Sequence, residues 1–158
     1  MKSIQIEKFG GPEVLVIKDI DIGKPGPKEV LIKNKSIGLN FIDIYHRTGL
    51  YPIPLPSGIG LEASGVIEEI GSEVKLFKVG DRVTHASMPI GAYSEKQIMP
   101  EEKLISVPDG ISDEVASCIT LKGITAEYLL HRAYPLKKGD KVLYLSLIHI
   151  SEPTRHGL

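Results

Sequence analysis

The sequence predicts a mainly β fold with a few helices, and three observations carry that expectation. Up to about Gly110 the apolar residues alternate with polar ones or gather in short runs, the pattern of half-buried strands. Those runs are separated by glycine and proline, 16 and 11 of the 158 residues. Both exceed the usual shares of about 7% and 5%. From Ser112 the pattern changes to longer segments that favour helix.

The elements follow in order. Ile4 and Ile6, with Phe9, alternate as a first strand that Gly10-Gly11-Pro12 turns. Val14 to Ile22 is rich in β-formers and closes at Gly23-Lys24-Pro25-Gly26-Pro27. Val30 to Ile37 reads as the next strand. Residues 40–50 are too mixed to assign beyond one or two helical turns. Pro52, Pro54 and Pro56 keep their predecessors out of helix. Ala63–Ile70 and Arg82–Ala86 are strands, Gly91-Ala92-Tyr93 leads into another, and Leu104–Val107 is a short one. Ser112 is an expected N-cap, with Asp113 and Glu114 at the positive end of the helix dipole. Helix is expected over Val115–Leu121 and Thr125–Ala133, with Gly123 breaking or bending the two. Lys137-Lys138-Gly139-Asp140 is a turn, and Lys141-Val142-Leu143-Tyr144 starts a new strand.

Composition narrows the function. Nineteen Lys+Arg against 20 Asp+Glu give a net charge of −1. A nucleic-acid binder needs a basic surplus to replace phosphate counterions, and a polybasic membrane-surface protein needs one too. Cys118 is the single cysteine, so neither an intramolecular disulfide nor a four-cysteine zinc lobe can form. The first residues hold no run suited to a signal peptide, and Leu143–Ile150 is too short to span a bilayer. A cytoplasmic protein with no membrane partner is expected.

Several separated motifs agree in order and spacing. Gly60-Leu61-Glu62-Ala63-Ser64-Gly65, then Gly71, Val74 and Gly80-Asp81-Arg82-Val83, resemble the signature of the medium-chain dehydrogenase/reductase superfamily in its GroES-like N-terminal domain. Gly10-Gly11-Pro12-Glu13-Val14-Leu15, Asn40-Phe41-Ile42-Asp43, Arg47-Thr48-Gly49-Leu50-Tyr51-Pro52 and Leu121-Lys122-Gly123-Ile124-Thr125-Ala126 resemble the zeta-crystallin-like NADPH:quinone oxidoreductases. The resemblance covers about residues 1–144. It implies a GroES-like partly open barrel over 1–111, then a helical connector over 112–144 ending in the first strand of a Rossmann domain.

The resemblance also implies a site. Asn40, Tyr45, Tyr51 and Thr125 match pocket positions facing nicotinamide and quinone. Asn40, Tyr45 and Tyr51 are the expected catalytic-side groups, and Asn40, Tyr45 and Thr125 the expected NADPH contacts. A neutral amide and phenols suit this, because they hydrogen-bond a carboxamide or a quinone oxygen without charging the site. Residue type alone reads Asn40 as a turn residue and the tyrosines as half-buried packing. The resemblance puts the pocket ahead for Asn40 and Tyr45 and leaves Tyr51 and Thr125 evenly divided. In zinc-dependent relatives a Cys stands at the place of Asn40 and a His before the glutamate that matches Glu62. Here those places hold an amide and Leu61, neither a zinc donor. No metal is expected, and quinone reduction needs none. Glu62 is expected to pair with a base or cap backbone amides, and Asp43 to be structural. Cys118 is expected in the core, and His46, His85 and His131 at the surface or in loops.

After Tyr144 the family pattern continues into a Gly-rich turn that seats a pyrophosphate on a helix N-terminus. This sequence runs instead from Leu145 to Leu158 with a single glycine, Gly157. Residues 145–158 are therefore expected to be a non-native tail on a truncated frame, which the genomic sequence across codon 145 tests. A quinone is the expected substrate, the intact protein a homodimer, and the truncated chain inactive alone. The alternative is a non-catalytic GroES-like interaction module, whose mark would be a tail past Tyr144 that resists proteolysis. A zinc-type alcohol dehydrogenase piece is the third reading, which stoichiometric zinc would revive.

Overall fold

The computed structural model describes residues 1–143. Within them the strands are β1 (Lys2–Ile6), β2 (Val16–Asp19), β3 (Glu29–Gly38), β4 (Ser57–Gly58), β5 (Glu62–Ile70), β6 (Arg82–Ala86), β7 (Lys96–Pro100) and β8 (Ile105–Ser106). The α-helices are α1 (Phe41–Thr48) and α2 (Asp113–Glu127). One sheet has the order β2-β1-β4 and the other β7-β3-β5-β6-β8, with every pair antiparallel. Neither sheet closes on itself, as expected of a partly open barrel.

The central strands explain the sequence pattern. Val30, Leu31 and Ile32 are buried in succession because β3 lies between β7 and β5, with neighbours on both edges. Val30, Ile32, Ile67, Val83, Met99 and Leu104 form one core, with Ile70, Val74 and Phe77 packed against it. Ile6, Val14 and Ile59 form a second, with Tyr93 against it.

Several elements differ from the sequence expectation. The strand expected over Val14–Ile22 is only Val16–Asp19, because Pro12 starts a 3-10 turn through Val14 and buries that side chain. The unassigned stretch 40–50 is a full helix, α1. Its capping box is closed by Asn40 and Asp43, and Gly49 ends it in the left-handed region at φ 81°. Gly123 does not interrupt α2, which runs on to Glu127. A glycine in a helix interior costs about 1 kcal/mol, less than the surrounding turns supply.

The chain divides into two compact units, Met1–Thr125 and a second from Ala126. The described part of the second begins with a π-helical segment, Tyr128–Ala133, and has a turn closed by Asp140 N–H donating to Lys137 O at 3.1 Å. Residues 141–143 are not in a strand, contrary to expectation, and Leu143 is exposed. The expectations for Tyr144 and for the tail 145–158 lie outside the described residues. No helix among the described residues is long and apolar enough to cross a membrane.

Candidate active site

Helix α2 explains how the site is built. Its buried stripe is Ala116, Ser117 and Thr120, small or hydroxylated side chains. Ser112 caps it, its Oγ accepting from Val115 N at 3.3 Å. Hydrogen bonds then fasten the helix across the sheet. The Ser117 and Ser36 hydroxyls lie 2.7 Å apart, and those of Thr120 and Thr84 2.9 Å apart. Asp113 Oδ1 accepts from Ser64 Oγ at 2.9 Å and from Arg82 at 3.2 Å. Gly38 allows the close approach, since a Cβ there would overlap the Ser117 carbonyl oxygen and the Glu62 carboxylate. Cys118 therefore faces solvent and not the core, because the hydroxyl stripe occupies the inward face.

The same seam ends on a charged cluster. Glu62, at the start of β5, has no exposed surface. Its Oε1 accepts from Leu121 N at 2.7 Å, and its Oε2 from Asn40 Nδ2 at 2.8 Å. The Lys122 ammonium stands 3.6 Å from Oε2 and donates to Asn40 Oδ1 at 2.8 Å. Glu62 thus both pairs with a base and caps a backbone amide, as the sequence suggested. Asn40 meets Glu62 because β3 runs directly into the N-cap of α1 and Gly38 pairs with Glu62 in register.

Below Asn40 lies a second buried carboxylate. Asp43 Oδ2 accepts from Asn40 N and from Tyr93 Oη, both at 2.9 Å. Burial raises the Asp43 carboxyl above its ordinary value, while the Asn40 amide and Tyr93 hydroxyl pull it back. Burial and the Asp43 charge together push the Tyr93 phenol upward. Asp43, Asn40, Ile44, Arg47 and Tyr93 border a hollow of about 160 Å³.

The tyrosines sit further along α1 and beyond it. Tyr45 is half-buried, Tyr51 is exposed, and their rings meet edge to face with centroids 5.3 Å apart. Tyr51 N also donates to Tyr45 O at 3.1 Å, which ties the loop after α1 to the helix. Thr125 is exposed on α2, and its hydroxyl donates to Leu121 O at 2.8 Å. The fold therefore brings together Asn40 with Glu62 and Lys122, and Tyr45 with Tyr51.

Two histidines correct the expectation of surface or loop positions. His46 is buried in α1, and His85 is buried on β6 opposite Ala63. Neither ring nitrogen of His85 has a hydrogen-bond partner among the described residues. Burial lowers its pKa to about 4, against a weak pull from the Leu61 backbone that falls short of hydrogen-bond geometry. Sequence reading missed Lys122 as a site residue. Its place in the Leu-Lys-Gly-Ile-Thr-Ala motif, just past a small-residue helical stripe, was the available signal.

This open sheet pair capped by α2 is a GroES-like fold. The model of the alcohol dehydrogenase GroES-like domain family matches residues 26–141, and the chain belongs to that family, within the medium-chain dehydrogenase/reductase superfamily. More particularly, it is similar to the quinone oxidoreductases. It is 54% identical over 144 residues to the quinone oxidoreductase of Pseudomonas aeruginosa, covering 90% of this chain and 44% of that protein. It is 46% identical over 145 residues to a 2-haloacrylate reductase of a Burkholderia species, covering 87% of this chain and 43% of that protein. The Escherichia coli quinone oxidoreductase, solved in complex with NADPH, superposes with a TM-score of 0.84 at 45% identity. That match covers 87% of this chain and 42% of the other. The chain spans less than half the length of these relatives.

Proposed function

We propose that this chain is the pocket-bearing domain of a zinc-independent NADPH:quinone oxidoreductase, with Asn40, Tyr45, Tyr51 and Thr125 toward nicotinamide and quinone. The observation that carries the reading is the Asn40 amide, held between Glu62 and Lys122. One amide N–H remains for a carboxamide or a quinone oxygen. NADPH, when bound, supplies the hydride. Asn40 and Tyr45 orient the flat reactants, and the Tyr45–Tyr51 pair offers an aromatic wall. The zinc-free part rests on the donor set. An ammonium 2.8 Å from Asn40 Oδ1 already places a positive charge beside the amide, and Leu61 next to Glu62 is apolar. A thiolate or imidazole site for zinc needs other chemistry. Among the described residues no group of three His, Cys, Asp or Glu is arranged for a metal.

A chimera tests the activity. Residues 1–143 are joined to the remaining part of the Pseudomonas aeruginosa relative, and quinone-dependent loss of NADPH absorbance is followed. Turnover with para-benzoquinone, unchanged by a chelator, is expected. A folded chimera that binds NADPH yet reduces no quinone would leave the non-catalytic module as the better account. The 158-residue chain alone is proposed to be inactive, with NADPH binding weak or undetectable by calorimetry.

A further inference from the structure

The Asn40 amide has a defined direction. Its Nδ2 faces a carboxylate oxygen at 2.8 Å and its Oδ1 faces an ammonium at 2.8 Å. The flipped amide would set oxygen against carboxylate and NH2 against ammonium, so the two charges fix which end points where. Lys122 does this from an unusual position. Its side chain is 60% exposed while its charged tip is tied to the fully buried Glu62 and the buried Asn40. An ammonium carries three hydrogens. One goes to Asn40, and the 3.6 Å approach to Glu62 is longer than a hydrogen bond. Among the described residues a donor is therefore left free beside Asn40, on a side chain that is mostly exposed.

We infer that Lys122 is the oxyanion-binding group of this site as well as the residue that orients Asn40, and that it favours acceptors whose reduced form carries a negative oxygen. The inference rests on the quinone reading and specifies its chemistry. Hydride addition to one quinone oxygen, with NADPH oxidised to NADP+, leaves the other oxygen as the phenolate of a hydroquinone monoanion. A proton from solvent completes the hydroquinone. A fixed ammonium next to that oxygen lowers the energy of the developing charge.

The test uses the 158-residue chain and needs no turnover. Para-nitrophenolate serves as the probe for a phenolate oxygen, read by its visible absorbance, with para-nitroanisole as the uncharged control. Saturable phenolate binding is expected. Lys122→Met and Lys122→Gln should weaken it by at least about tenfold, the loss of one charge-assisted hydrogen bond, and Lys122→Arg should stay within about threefold. Anisole binding should not distinguish the variants. In NMR spectra the Asn40 side-chain amide signals should move in Lys122→Met and return in Lys122→Arg. Two neutral variants guard against one failing to fold. The inference is overturned if wild type shows no saturable phenolate binding, if both neutral variants bind like wild type, or if the Asn40 signals do not move. An inactive chimera alongside Lys122-dependent phenolate binding would sink the quinone reading and the preference for quinone-like acceptors, and leave standing only the binding of a phenolate oxygen by Lys122.

Discussion

Glu62 and Lys122 are joined, yet their removal should have unequal effects on stability. Glu62 is fully buried, whereas most of the Lys122 side chain is in water. Glu62→Gln sets its NH2 group against either the Asn40 or the Leu121 donor, and should cost roughly 2 kcal/mol. Lys122→Met takes a counter-charge from the buried Glu62 but leaves its two N–H donors in place, and should cost less, about 1 kcal/mol. Urea denaturation of both variants checks the order. His85 predicts a pH dependence. The unfolded histidine takes up a proton near 6.5 and the folded one only near 4. Its contribution to stability is present above 6.5 and is lost as pH falls toward 4, by about 3 kcal/mol in all. Asp43, raised by burial, acts with the opposite sign, favouring the folded state below its ordinary value and losing that as pH rises. The difference between wild type and His85→Leu isolates the histidine. The variant should lose less stability between pH 7 and pH 4.5 in thermal melts (about neutral and mildly acidic values chosen to span the window).

The elements show how far the sequence could be read. β1, β3, β5 and β6 were legible because their apolar residues alternate or run between glycine turns. The helix α1 was not, since its apolar residues, Phe41 to Tyr45, span little more than one turn, and the residues it buries are Asp43 and His46. The signal was elsewhere, in Asn40 and Asp43 at the three-residue spacing of a capping box. β4 has two residues and takes its strand character from pairing with β1. Asn40 was legible by resemblance, but its environment was not. Glu62 and Lys122 lie 22 and 82 residues away along the chain, and only the seam of α2 brings them in. That seam makes its own prediction. Gly38→Ala pushes a methyl into the Ser117 carbonyl, and should destabilise the fold by about 1–3 kcal/mol. A melting temperature equal to that of wild type would show that α2 can move aside.

For the whole molecule, the apolar surface is the main liability. Val115, Ile119 and Ile124 on α2 are exposed, as are Leu39, Phe41, Leu50 and Tyr51 around α1. Patches of this kind mark contact surfaces, and left bare they drive association. The 158-residue chain should therefore self-associate with rising concentration in sedimentation experiments. A monodisperse monomer at high concentration would count against that.

A greasy contact lets a helix slide a little and settle again. The fastening of α2 by Ser36–Ser117, Ser64–Asp113 and Thr84–Thr120 does not, because each bond requires both its partners in place. A change at one member leaves the other with only a local backbone carbonyl, Ala63 for Thr84, Ala116 for Thr120 and Glu114 for Ser117, and removes the bond across the seam, so natural variation at these positions should occur in pairs. Across aligned family members, Thr84 and Thr120 should drift together toward apolar residues or not at all, and likewise for the two serines. The helix would then carry a heritable record of its own docking, written as coordinated replacement between residues 36 apart and 81 apart in the chain.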